Sequence, residues 1–142
     1  MNGVKMSDCR FYVNEDERIV VCVIPNTADM VTDFIDEHFR FNDFNLFYGL
    51  ATRLFRSLEM PYSFSGKAVC APEDKWDVET GKLIAFSKAK NKCYKSFFKR
   101  ANKFIQIVDK RMNDAMDLFN AFGMKLSDKR ESLEKEIKER VE

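Results

Sequence analysis

The chain is poor in glycine, with five in 142 residues, and has only three prolines. It contains no P-loop and no G-x-G-x-x-G turn, so it lacks the backbone cradles that those loops build for phosphates. The one histidine, His38, and the four scattered cysteines, Cys9, Cys22, Cys70 and Cys93, include no C-x-x-C pair. Zinc requires closely spaced ligand pairs, so no metal site is expected. Ser, Cys and Asp are present, but none stands in a nucleophile-elbow or papain-like context. The expectation is a protein that is not an enzyme and carries no cofactor. No apolar run reaches the roughly 18 residues of a membrane span, and the first residues carry no signal-peptide pattern. Buried, reduced thiols in a cytoplasm follow from both.

What the chain does contain is apolar and aromatic. Hydrophobic residues make up 45%, with 14 phenylalanines, which excludes a disordered polymer and suits one domain's worth of core. The net charge of +1 conceals a segregation. Residues 1–80 carry 8 Lys/Arg against 14 Asp/Glu, residues 81–108 carry 8 Lys/Arg and no acid, and the remainder is nearly balanced. Opposed blocks of this kind favour a local polar role or head-to-tail self-association over general attraction to nucleic acid.

Cys9–Val13 and Arg18–Ile24 are rich in strand formers and flank the polar turn Asn14-Glu15-Asp16-Glu17, which predicts a hairpin. The second strand is apolar at every position from Ile19 to Ile24, as a strand covered on both faces would be. Pro25 ends it. Thr27 is placed to cap a helix running to about Phe39, with Met30, Phe34 and Ile35 on one face. Phe41, Phe44, Phe47, Leu50, Leu54 and Leu58 recur at three- and four-residue steps and predict a helix from Asp43 to Leu58, despite Gly49. Pro61 stops it, and Phe64–Ala71 supplies a third strand.

Asp77 is a good N-cap, and Glu79 complements the dipole of the helix that follows. From Val78 to Phe122 there is no proline, and the series Ala89, Cys93, Phe97, Ala101, Phe104, Val108, Met112, Ala115, Phe119, Phe122 steps by four and three. This predicts a helix over 78–122. Gly123 reads as a left-handed C-cap and Ser127 as the N-cap of a last helix over 128–141, with Leu133, Ile137 and Val141 in line. The expected fold class is α+β: an antiparallel sheet of about three strands packed by helices, followed by a long C-terminal helical hairpin. Residues 1–80 would form the core and 81–142 the arm, in one structural unit.

Four features could carry chemistry. Clustered carboxylates at Glu73, Asp74, Asp77 and Glu79 could hold magnesium, but they also fit an ordinary helix start, with Trp76 packed beneath the turn or free to stack a base. The basic block is the best functional signal. Lys88, Lys92, Lys95, Lys99 and Lys103 follow at helical spacing, with Arg100 nearby and Tyr94 and Phe98 four apart beside them. Ammonium groups along one helix would meet phosphates while the aromatics stack bases, and the lack of acids removes the usual i,i+4 partners. His38 suits the surface at a helix end. The crowded phenylalanines Phe39, Phe41, Phe44 and Phe47 suit core packing or a partner interface.

The stretch Gly66, Ala68, Cys70, Pro72, Asp74, Trp76-Asp77, Gly81 and Ile84-Ala85 resembles a pattern of small accessory proteins of phages infecting Gram-positive bacteria. That pattern is a strand with a Gly-x-Ala-x-Cys core, a Pro-x-Asp turn, an aromatic-Asp pair and a helix opening in Gly-x-x-(Ile/Leu)-Ala. The hairpin with its Val-Asn-Glu turn is similar too, so the likeness covers residues 9–95. Trp76 stands where the pattern has Phe. The resemblance implies a counter-defence protein in the host cytoplasm and supplies no catalytic residues. The first expectation is a homo-oligomeric sponge that sequesters a phosphate-bearing nucleotide immune signal, with Lys88, Lys92, Tyr94, Lys95, Phe98, Lys99, Arg100 and Lys103 binding it. The alternative is an inhibitor or adaptor that docks its basic helix on a host defence protein, as anti-CRISPR proteins do, or on nucleic acid.

Overall fold

A computed structural model describes residues 3–39 and 58–141. After a short 3-10 turn at Met6–Asp8 come strand β1, Arg10–Asn14, and strand β2, Ile19–Ile24. Helix α1 spans Met30–Phe39, strand β3 Phe64–Val69, and helix α2 Val78–Val141. The three strands form one antiparallel sheet in the order β1-β2-β3. The α+β class with a small antiparallel sheet and a long C-terminal helix is thus observed. The helix expected over 43–58 lies outside the described residues, apart from its last position.

The hairpin forms because its turn is stabilised locally. The Asn14 side-chain oxygen accepts the Glu17 N–H at 3.1 Å, and Arg18 takes a left-handed φ of 53°. Asn14 then pairs with Ile19 and Phe11 with Cys22. This register sends Val20, Cys22 and Ile24 to one face, where they are buried. Ile19, Val21 and Val23 stay half-buried on the other, so among the described residues β2 is fully covered on one face, not two.

Helix α1 starts at Met30, three residues after the expected cap. The Thr27 hydroxyl does not serve the helix: it donates to the Pro61 carbonyl, while the Thr27 N–H donates to the Tyr62 carbonyl at 2.9 Å. Those bonds, with Met60 N–H to the Ala28 carbonyl at 3.0 Å, bring residues 58–62 beside the start of α1. Val31, Ile35, Leu58 and Met60 are buried, and Phe34 meets Phe97 edge-on at 5.4 Å between centroids.

The first part of α2 buries Gly81, Ala85, Ala89, Cys93 and Phe97, one residue per turn. Small side chains let the helix touch the sheet. A Cβ placed on Gly66 would lie 2.2 Å from the Ala85 carbonyl oxygen and 2.5 Å from the Ala89 nitrogen, so the β3 backbone rests directly on the helix backbone. Gly81 is seated against the side chain of Val20, whose methyl would lie 2.8 Å from a Cβ there.

Two compact units result, Met1–Phe104 and Ile105–Glu142. Residues 81–104 of the expected arm therefore fall in the unit that holds the core. The expected hairpin at Gly123 is corrected: α2 continues without interruption to Val141, and no described glycine has a positive φ. A glycine within a helix costs about 1 kcal/mol relative to alanine, and no proline follows to enforce a turn. Beyond it, Lys, Glu, Arg and Leu favour helix, and Arg130–Glu134 (3.1 Å) and Arg140–Glu136 (2.8 Å) pair one turn apart.

Candidate functional site

The start of α2 consumes the acidic turn. Asp77 accepts the Glu79 N–H at 3.1 Å and the Thr80 hydroxyl at 2.6 Å, and the hydroxyl in particular holds its carboxyl below the usual range. The Arg18 guanidinium donates to the Asp74 carbonyl at 3.1 Å, which ties the hairpin turn to this loop. Glu79 faces Lys82 at 3.6 Å. No group of three or more metal-ligating side chains occurs among the described residues. Trp76 is half-buried and its indole N–H is shielded from solvent without a partner among the described residues.

The basic block divides into two sets. Lys88 donates to the Lys67 carbonyl at 3.0 Å and Lys92 to the Ser65 carbonyl at 2.9 Å. Both acceptors belong to β3, the last strand of the sheet, so these two ammonium groups cap a strand edge. Arg100 donates to the Glu59 carbonyl at 3.0 Å and to the Ser96 side chain, joining α2 to the segment before β3. The Tyr94 hydroxyl accepts the Val4 N–H at 3.1 Å. Lys90 lies over the Phe86 and Tyr94 rings at 5.5 and 5.4 Å. Four of the eight candidate residues therefore hold the fold.

The other four are open. Lys95, Lys99 and Lys103 are exposed, and none pairs with an acid among the described residues. Phe98 is 60% exposed and, among the described residues, makes edge contacts to Tyr94 and Phe97. The structure places them on a convex helix surface. One described cavity, of about 250 Å³, is bordered by Asp8, Asp33 and Glu37, and a second, of about 260 Å³, by Trp76, Asp77 and Ile84. Neither includes any of the eight residues.

The thiols of Cys9, Cys22 and Cys93 are unsuited to nucleophilic work. All four cysteines are unpaired, Cys22 and Cys93 are buried, and burial pushes Cys22 up to about 12 and raises Cys9 and Cys93 as well. Thiols held neutral at physiological pH are poor nucleophiles. No described helix is long and apolar enough to cross a membrane. No protein-family model, no curated protein and no solved structure matches the chain.

The roles of Lys88 and Lys92 escape sequence reasoning, because their acceptors are backbone carbonyls 21 and 27 residues away. The available signal was the small-residue column Gly81, Ala85, Ala89. A column that small means a helix seated close to a partner, which puts flanking lysines within reach of its edge.

Proposed function

We propose that this is a non-enzymatic binding protein, an inhibitor or adaptor that docks Lys95, Lys99 and Lys103, with Phe98 beside them, on an acidic macromolecular surface. The observation that carries this reading is a row of three exposed ammonium groups one turn apart, without acidic partners among the described residues. Charge left uncompensated on a rigid helix is ready to meet a complementary surface, and an exposed aromatic supplies the apolar anchor that such contacts favour. A small nucleotide has less support, since Lys88, Lys92, Tyr94 and Arg100 already bond within the fold and neither described cavity meets the row. The likeness of residues 9–95 to phage accessory proteins makes a host defence protein the target class.

Retention on a heparin column, a polyanion probe, tests the charged row. The wild type is expected to bind at low salt, and the Lys95→Glu/Lys99→Glu/Lys103→Glu variant to pass through or elute much earlier. A variant with the same change in net charge, Lys110→Glu/Lys135→Glu/Lys138→Glu, should keep most of the retention. Equal losses in the two variants would mean that only net charge matters and would sink the assignment.

A further inference from the structure

Among the described residues, nothing covers one apolar helix face of the second unit. Ile105, Met112, Phe119, Phe122, Leu126 and Leu133 are 49–79% exposed, although each is large and apolar. From Ile105 to Leu133 the apolar positions alternate steps of three and four residues without a break, and only Lys129 interrupts them in character. That repeat is the seam of a left-handed coiled coil, whose first and fourth heptad positions pack against another helix. If these six side chains and the exposed Met116 and Leu118 that flank them each lose about 100 Å², one helix gives up roughly 800 Å², the amount a stable dimer needs per partner.

We propose that residues 105–136 form an antiparallel coiled coil with the same segment of a second copy, on a two-fold axis between Asn120 and Ala121. Charge and size decide the direction. A parallel, in-register pair would stack Lys129 on Lys129 and set Lys125 against Arg130 of the second copy, placing like charges together twice over. In the antiparallel register Phe119 packs on Phe122 of the second copy, Ala115 on Leu126 and Val108 on Leu133. These three layers join a small residue to a large one or two aromatics, and at each end Ile105 meets the stem of Glu136. Flanking the seam, Met116 lies near Gly123, and Asp109 faces Arg130 at both ends. Arg130 already bonds Glu134 one turn along its own helix at 3.1 Å, so its guanidinium is positioned to bridge both carboxylates. Lys129 falls opposite Met112, where its long stem covers the thioether and its ammonium reaches water. The pairing leaves Lys95, Lys99 and Lys103 outside the seam, so it stands or falls separately from their docking role.

Sedimentation equilibrium of the full chain tests both the dimer and its direction. The wild type is expected at twice the 16.7 kDa chain mass at micromolar concentration. Arg130→Asp should weaken the dimer about tenfold, since it sets Asp against Asp109 at two symmetric places. Asp109→Arg should weaken it comparably, and the two changes together should restore the affinity to within about twofold. In a parallel pair Arg130→Asp would instead relieve the Lys125 clash and tighten association. Tightening, absence of rescue in the double variant, or a wild type that is monomeric or trimeric would overturn the proposal. The affected side chains are exposed, so circular dichroism of each variant should remain helical.

Discussion

Adding one methyl group at Gly66 is the sharpest perturbation that the fold defines. An alanine Cβ there would lie 2.2 Å from the Ala85 carbonyl oxygen, 2.5 Å from the Ala89 nitrogen and 2.9 Å from the Lys88 Cβ, where ordinary contacts begin at 3.4 Å. The first two are backbone atoms of a hydrogen-bonded helix and cannot rotate aside. Either α2 or β3 must retreat by about 1 Å, and the buried Ala85, Ala89 and Cys93 behind the contact would lose packing together. Overpacking of a close-packed core costs about 1–3 kcal/mol, and a clash with backbone belongs at the upper end. Gly66→Ala is therefore expected to lose about 3 kcal/mol, a fall in melting temperature of roughly 10 °C for a domain of this size. Urea unfolding followed by fluorescence is the assay, because the single tryptophan, Trp76, reports on the unit that contains the contact. Gly81→Ala is the control. Its Cβ would meet only a methyl of the buried Val20 side chain, at 2.8 Å, with no helix backbone in the way, and alanine gains helix propensity, so the loss should be about 1 kcal/mol and clearly smaller than at Gly66. A Gly66→Ala protein within about 0.5 kcal/mol of wild type would refute the direct seating of helix on strand.

Two further outcomes follow from the same geometry. Gly123→Ala should raise helicity and stabilise the second unit by about 1 kcal/mol, because a Cβ there meets nothing within 4 Å and the backbone is helical. A glycine in a left-handed turn would give the opposite sign, so thermal denaturation followed by circular dichroism distinguishes an unbroken helix from a hairpin. Alkali should also destabilise the fold through Cys22. Its folded pKa of about 12 exceeds that of an unfolded thiol, near 9.0, so the unfolded chain holds fewer protons between those values and stability falls as pH rises through that window. The slope for one such group is at most about 1.4 kcal/mol per pH unit, and Cys22→Val should remove that share in urea titrations at pH 9 and 11.

Local signals carried most of the fold in the sequence. The hairpin with Pro25 behind it, the third strand and the Asp77 cap each depend on residues within a few positions, and each stands within two residues of where the sequence places it. Gly123 misled because glycine serves a left-handed cap and a tolerated helical position equally, and only the chain's surroundings decide between them. Thr27 misled for a related reason: a capping hydroxyl can bond any carbonyl in reach, and Pro61 arrives from 34 residues away. The basic block was legible as charge but not as two populations, since the carbonyls that occupy Lys88 and Lys92 leave no trace in side-chain chemistry.

The clamp made by those two lysines works as a vernier. Four residues of helix advance about 6.0 Å, and two residues of antiparallel strand about 6.8 Å, so one pair of teeth engages almost in phase and each further pair slips by nearly 1 Å. The next positions on either side of the pair are Ile84 and Ser96, which carry no ammonium, so the scale has two marks and no more. Sliding the helix by one turn would leave a tooth without its slot. Two outward carbonyls of β3 are thereby already occupied, which disfavours the pairing of another strand along that rim.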